Sequence, residues 1–363
     1  MEERKLIAII GAGVIGLQIA CTLLEAGYRV TILAQHYPGD QSINYTSPWA
    51  GAHWRSYAEN DDYEQHDWDL QTFRYWQRQI ELEERDDGPG VKSGLGLCEC
   101  LEYGVSSLEL WYDKHMPNFK QIPTSDLPKG ISEGYSHTSI MINAPMYLAY
   151  LLHKVKALGA TTVQYILPTS TLEAALDAAE SHIDQTTSQA PIAAFVNATG
   201  LSAGKLVPDL AVYPIRGLTV LVRGTASKCT TVQYGAEAAA EKEAANIGIT
   251  YVLPRPRANE TVVGGTKLVG NWDAEAYLGE VEAILARAKE FAPELLNAEG
   301  KFNVISAQVG LRPGRKGGAR VEMEIMDGRR VCHAYGHSGA GYQNSIGVAG
   351  KVLKLVNESF VRG

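Results

Sequence analysis

Leu6-Ile7-Ala8-Ile9-Ile10, followed at once by Gly11-Ala12-Gly13-Val14-Ile15-Gly16, decides how this chain reads. Five apolar residues in a row describe a short strand buried on both faces. The glycines follow in the spacing that a strand–turn–helix uses to hold a pyrophosphate. Gly11 permits the tight turn, Gly13 lets backbone approach the phosphates, and Gly16 lets helix and strand pack closely. The helix N-terminus adds free N–H groups and a positive dipole end. Context strengthens the motif: a strand precedes it, a helix from Leu17 to Ala26 follows, and Gly27 sits where a C-cap would. Tyr28 to Leu33 alternates as the next strand. The unit is βαβ, and Gly11, Gly13, Val14, Ile15 and Gly16 are its candidate dinucleotide contacts.

The loop alone leaves NAD and FAD open. The second strand ends Ala34-Gln35-His36, where an NAD site would place an acidic residue about 20 positions after the glycines. Gln35 can hydrogen-bond a ribose or adenine, less strongly than a carboxylate, which weighs against NAD.

Composition narrows the partners. With 363 residues and 45% hydrophobic content, the chain can bury more than one domain's core. A formal net charge of −8 argues against nucleic acid or an anionic membrane as a general partner. No apolar run reaches the roughly 18 residues a membrane span needs, and Met1 to Lys5 leads straight into a strand, so no signal peptide is expected. The five cysteines form no CxxC and no Cys/His cluster, so no metal site is expected. Cys98 and Cys100 suit one face of a strand.

Farther along, residues 56–144 are rich in charge and aromatics, with helical stretches near 64–84. Met146 to Leu158 is a helix with Pro145 at its start and Gly159 at its end. Thr161 to Leu167 and Ile192 to Val196 read as strands, the second leading into Asn197-Ala198-Thr199-Gly200. Residues 212–272 are strand-rich, Gly235 to Asn246 reads as a helical or mobile insertion, and Tyr277 to Phe291 is an amphipathic helix. Arg330 to Tyr335 is a strand before a glycine-rich turn and a helix from about Ser345 to Phe360. The expected fold is α/β with two interleaved units. A nucleotide-binding domain takes residues 1–55, 145–211 and 306–363, and a mixed α+β substrate domain takes 56–144 and 212–305.

Three segments carry chemistry. In Thr46-Ser47-Pro48-Trp49-Ala50-Gly51-Ala52-His53-Trp54, small residues let backbone pass close to a flat ring. In Gly310-Leu311-Arg312-Pro313, an arginine held between Gly-Leu and proline suits a bidentate grip on a carboxylate. Tyr335 to Gln343 is a strand-to-helix turn whose N–H groups could face an anionic ring edge.

These blocks, with Asn197 to Gly200, Tyr213-Pro214-Ile215-Arg216-Gly217, Tyr251-Val252-Leu253-Pro254-Arg255 and Gly264-Gly265-Thr266, resemble the D-amino-acid oxidase and D-aspartate oxidase family in its fungal form. They stand in the family's order across essentially the whole chain. The resemblance implies a Rossmann-like domain with non-covalent FAD, and oxidative deamination of a D-amino acid by O2 to a 2-oxo acid, ammonia and hydrogen peroxide. It implies that Arg312 holds the α-carboxylate with Tyr251, that Tyr234 is a second site tyrosine, and that backbone at Gly339 accepts from the amine. Hydride leaves Cα for flavin N5, and no acid–base residue of the protein is required. By the same resemblance Ala34, Gln35, Thr46, Ser47, Gly51, Ala52, Trp54, Gly200, Arg312, Gly339, Gly341, Tyr342 and Gln343 would contact FAD. His53 resembles the acidic-substrate branch. With Arg55 it would offer two cations to a side-chain carboxylate, so acidic D-amino acids are the narrow expectation; Tyr342 and Gln343 resemble broad-specificity oxidases, so neutral D-amino acids stay open. A homodimer is a candidate assembly. The resemblance also implies a peroxisomal location, for which Phe360-Val361-Arg362-Gly363 supplies no targeting tripeptide; the cytoplasm is the other expectation.

Overall fold

The computed structural model describes residues 4–86, 88, 90–104, 110–168, 171–187, 191–233 and 249–361. The strands are β1 (Leu6–Ile10), β2 (Arg29–Ala34), β3 (Ala52–His53), β4 (Leu95–Tyr103), β5 (Lys120–Gln121), β6 (Gly134–Ile142), β7 (Thr161–Gln164) and β8 (Ile192–Asn197). They continue as β9 (Val212–Arg223), β10 (Cys229–Gln233), β11 (Ile249–Pro254), β12 (Glu260–Gly264), β13 (Leu268–Val269), β14 (Val304–Arg315), β15 (Arg320–Met326) and β16 (Arg329–Tyr335). The α-helices are α1 (Val14–Glu25), α2 (Tyr63–Arg85), α3 (Ala144–Ala157), α4 (Leu172–Thr187), α5 (Ala203–Leu206), α6 (Leu278–Ala288) and α7 (Gly341–Val361).

The first sheet runs β15-β16-β8-β1-β2-β7. It is parallel except for β15, which folds back on β16 as a hairpin. The unbroken apolar run of β1 has a direct cause. Ile7 and Ile9 pack into a core with α1, α3 and α7, whereas Leu6, Ala8 and Ile10 pack against Leu172, Leu176 and Ile183 of α4. Both faces are covered, so neither can be polar.

The second sheet runs β13-β9-β12-β11-β10-β4-β6-β3, with β14 also paired to β9 and β5 to β6. Helix α6 covers it, placing Ile284 and Ala288 against Leu218, Val220 and Val263. Val304–Arg315 pairs with β9 over nearly its whole length, so it belongs to this sheet, although residues from 306 were expected in the nucleotide unit. The hydrophobic pattern identifies a strand but not its neighbour. Likewise β3, expected with the nucleotide unit, pairs with β6.

The long strands β4 and β6 lie in residues 56–144, where helical stretches were expected only near 64–84 and no strand bounds were drawn, although Cys98 and Cys100 were placed on one strand face. β4 was obscured because its buried positions include Glu102 and Cys100 beside exposed Leu97, which breaks the expected alternation. Helices α1 and α7 begin earlier than expected, at Val14 and Gly341, so both glycine turns feed directly into helix N-termini. The insertion read at Gly235 to Asn246 lies outside the described residues.

Candidate active site

Ligands of parallel α/β sheets bind beyond the C-terminal ends of the strands. Here Ile10 of β1, Ala34 of β2, the turn Ala198–Gly200 after β8, and Tyr335 of β16 all reach one cavity of about 320 Å³. The cavity continues to the second sheet, where Gly217, Thr231, Tyr251 and Arg312 form its wall.

The glycine loop works by close approach. Gly11 has φ +111°, and a Cβ there would stand 2.4 Å from the Ala198 carbonyl oxygen. A Cβ on Gly16 would stand 2.0 Å from the Gly11 oxygen. Gly16 therefore packs the helix onto the turn and is not on the cavity wall, whereas Gly11, Gly13, Val14 and Ile15 are. The first turn of a helix leaves N–H groups without intrahelical acceptors. The Val14 N–H donates to Ser47 Oγ at 3.1 Å, so one of them is already held by the protein. Ile15, the next residue of that turn, is on the cavity wall, where its N–H can face an anion.

The Ser47 turn is itself fixed from two sides. Thr46 Oγ1 donates to the Leu311 carbonyl at 2.7 Å, and the Tyr342 hydroxyl donates to the Ser47 carbonyl at 2.9 Å. These bonds bring the loop after β2, strand β14 and the start of α7 around one space. Gly339 and Gly341 line that space with no left-handed φ, and a Cβ on either would meet no protein atom nearer than 3.9 Å. The protein's own packing leaves open space beside both glycines.

At the other end Arg312 lies against Gly217, where a Cβ would stand 2.2 Å from its Nη1. Arg312 Nη1 donates to the Thr266 carbonyl at 3.5 Å. Burial raises the Tyr251 phenol pKa, and the charge of the nearby Arg312 guanidinium offsets part of that rise. The Tyr251 ring occupies the place a Cβ of Gly264 would take, 2.2 Å away, and its hydroxyl lies 2.5 Å from that of Gly265. Thr266 Oγ1 accepts from the Leu218 N–H at 2.8 Å, holding this segment to β9. The three glycines thus make space for one guanidinium and one phenol.

A protein-family model described as FAD dependent oxidoreductase, DAO, matches residues 7–355. The chain belongs to this family. It is 36% identical over 354 residues to a D-amino-acid oxidase of Schizosaccharomyces pombe, covering 94% of this chain and 93% of the relative. It is 32% identical to a D-amino-acid oxidase of Fusarium vanettenii, covering 97% and 96%. A D-aspartate oxidase of Cryptococcus neoformans is 31% identical, with 98% and 97% covered. The fold is shared with glycine oxidase from Geobacillus kaustophilus, at a TM-score of 0.72 and 20% identity over 97% of this chain and 94% of that one.

The cofactor of this oxidoreductase is FAD. Of the residues expected to hold it, Ala34, Gln35, Thr46, Ser47, Gly51, Ala52, Gly200, Gly339, Gly341, Tyr342 and Gln343 line the cavity with the glycine loop. Trp54 does not. It is fully buried, donates through Nε1 to the Asp69 carbonyl at 2.9 Å, and packs edge-on to Phe73 and Tyr112. Alternation along the strand sends its side chain to the opposite face from His53.

His53 is on the wall, and its Nε2 has no hydrogen-bond partner. Burial, then the nearby Arg55 charge, pushes its pKa down to about 3. Arg55 is not on the wall. Its Nε donates to Glu102 at 2.9 Å, with both side chains at most 5% exposed. The two-cation subsite expected from the sequence therefore loses one member to a buried carboxylate. Tyr234 lies outside the described residues.

Sequence reading missed Tyr57 and Thr231, which also line the cavity. Tyr57 stands two residues past Arg55, whose guanidinium lies 5.0 Å from its ring centroid. Thr231 shows itself only through pairing, being in register with Tyr251 across β10 and β11. No local motif marks either.

Proposed function

We propose that this flavoenzyme oxidises D-amino acids whose side chains carry no charge. One observation carries the reading. Among the described residues, the cavity wall holds a single guanidinium, that of Arg312, and no aspartate, glutamate or lysine. One fixed cation beside a tyrosine hydroxyl matches one carboxylate, the α-carboxylate that every amino acid has. The relatives named D-amino-acid oxidase support the substrate class.

Bound between the glycine loop and the turn before α7, FAD would supply the two-electron redox chemistry by which a D-amino acid, O2 and water give a 2-oxo acid, ammonia and hydrogen peroxide. The protein's part is orientation and charge. Arg312 and Tyr251 hold the carboxylate, and the wall near Gly339 offers backbone to the amine. Burial pushes His53 down to about 3 and His337 down to about 4. Both are neutral and weakly basic at pH 7, which suits a site that positions its substrate and does not abstract a proton.

A panel of D-amino acids with peroxide release as readout tests this. D-alanine, D-serine and D-asparagine should exceed D-aspartate and D-glutamate in kcat/KM; D-aspartate as the best substrate would overturn the side-chain reading. The unpartnered Nε2 of His53 and the relative named D-aspartate oxidase favour a second reading, for acidic D-amino acids. A side-chain carboxylate would then raise the His53 pKa. Turnover of D-aspartate would climb as pH falls while that of D-alanine would not.

A further inference from the structure

We propose that Glu102, which does not itself line the cavity, sets the discrimination against negatively charged side chains by holding Arg55 in a closed ion pair. The inference rests on the reading of the substrate given above.

Strand pairing supplies the geometry. Tyr251 of β11 is in register with Thr231 of β10, and Thr231 is in register with Glu102 of β4. Paired residues project from the same face of a sheet, and neighbouring strands lie about 4.8 Å apart. Glu102 thus stands one strand beyond the cavity wall and two strands from Tyr251.

Arg55 is held on that same outer row. Its Nε donates to Glu102 Oε2 at 2.9 Å, its guanidinium lies over the Tyr57 ring, and with the Gln233 amide turned so that its oxygen faces Arg55, Nη1 donates to that oxygen at 3.3 Å. Both Tyr57 and Thr231, the neighbours of this pair, line the cavity. The other Glu102 oxygen accepts from His137 Nε2 at 3.0 Å, and the Tyr112 hydroxyl lies 3.5 Å from both carboxylate oxygens. With Arg55 and Glu102 at 5% and 3% exposure, neither charge is screened by solvent. Burial by itself would raise the Glu102 carboxyl; Arg55 and His137 outweigh it and hold it below the ordinary carboxylate range.

A substrate side chain therefore meets a short dipole where an unpaired cation would otherwise stand. Removing the carboxylate uncovers that cation. Glu102→Gln keeps the shape and leaves an amide oxygen for Arg55. The ratio of kcat/KM for D-aspartate over D-alanine should rise about tenfold, the order expected of one charge at roughly 10 Å in an effective dielectric near 20. The double variant R55M/E102Q should return the ratio to the wild-type value, which general damage to the site would not do.

An unchanged ratio in flavin-loaded E102Q, or a double variant that keeps the E102Q ratio, overturns the role of Glu102. Should E102Q not retain flavin, R55M gives the reciprocal measurement: D-aspartate falls and D-lysine gains relative to D-alanine, and unchanged ratios overturn the inference. A wild-type enzyme that prefers D-aspartate would refute the substrate reading itself, whatever the variants do.

Discussion

Arg312 is the residue whose loss should be felt most sharply by substrate and least by flavin. Arg312→Ala removes the only guanidinium on the described wall and leaves the α-carboxylate without a charged partner. KM for D-alanine should rise about a hundredfold or more, the scale of a charge-assisted pair, while the flavin spectrum is retained; near-normal kinetics would place the carboxylate elsewhere. Asp69 makes a second claim at this scale. It is fully buried, accepts from Ser56 Oγ at 2.6 Å, Gln343 Nε2 at 3.3 Å and Asn344 Nδ2 at 2.6 Å, and burial pushes its pKa up to about 7. An unfolded aspartate titrates near 3.9. Between these values the native state holds a proton that the unfolded chain has released, so stability from this group falls as pH rises toward 7 and is level above it. Tm of the wild type should decline from about pH 5 to about pH 8 more steeply than that of Asp69→Asn. Parallel curves would mean that Asp69 does not carry this titration.

At the scale of elements, two glycines make separable predictions. Gly347 lets α7 press directly on α2: a Cβ there would stand 2.2 Å from the Trp68 Cα. Backbone cannot rotate aside, so Gly347→Ala must shift α7, whose first residues line the cavity. Overpacking of this kind costs about 1–3 kcal/mol, and the variant should lose both Tm and flavin retention. Gly264→Ala meets the Tyr251 ring at 2.2 Å, within the second sheet. It should raise KM through the displaced tyrosine while flavin stays bound. Equal loss of flavin in both variants would contradict this division between the two ends of the cavity.

For the whole molecule, the cavity joins two sheets of different construction. Strands β1, β2, β8 and β16 of the first contribute their C-terminal ends, and β9, β10, β11 and β14 of the second contribute faces. A ligand that contacts both and binds only the folded chain stabilises it by RT ln(1 + [L]/Kd), about 2.7 kcal/mol at a hundred times Kd. Stripping FAD should therefore lower Tm, and re-adding it should raise Tm progressively with FAD concentration. A Tm indifferent to FAD would argue that the cavity closes without it.

What the amino-acid sequence determined alone is local. The apolar run Leu6–Ile10, the glycines Gly11 and Gly16, and the turn before α7 were legible because each is a short-range requirement of backbone geometry. Arg312 and Tyr251 were legible through resemblance, and both line the one cavity. What only the tertiary structure decided is which charges cancel. Arg55 beside His53 looks like a free cation along the chain, yet Glu102, 47 residues away and hidden in an irregular strand, neutralises it. Trp54 likewise turned inward because β3 pairs with β6 and alternation sends that side chain to the core. The charge of the substrate pocket is set by which strands lie side by side, and pairing between distant segments leaves no periodic trace in either one.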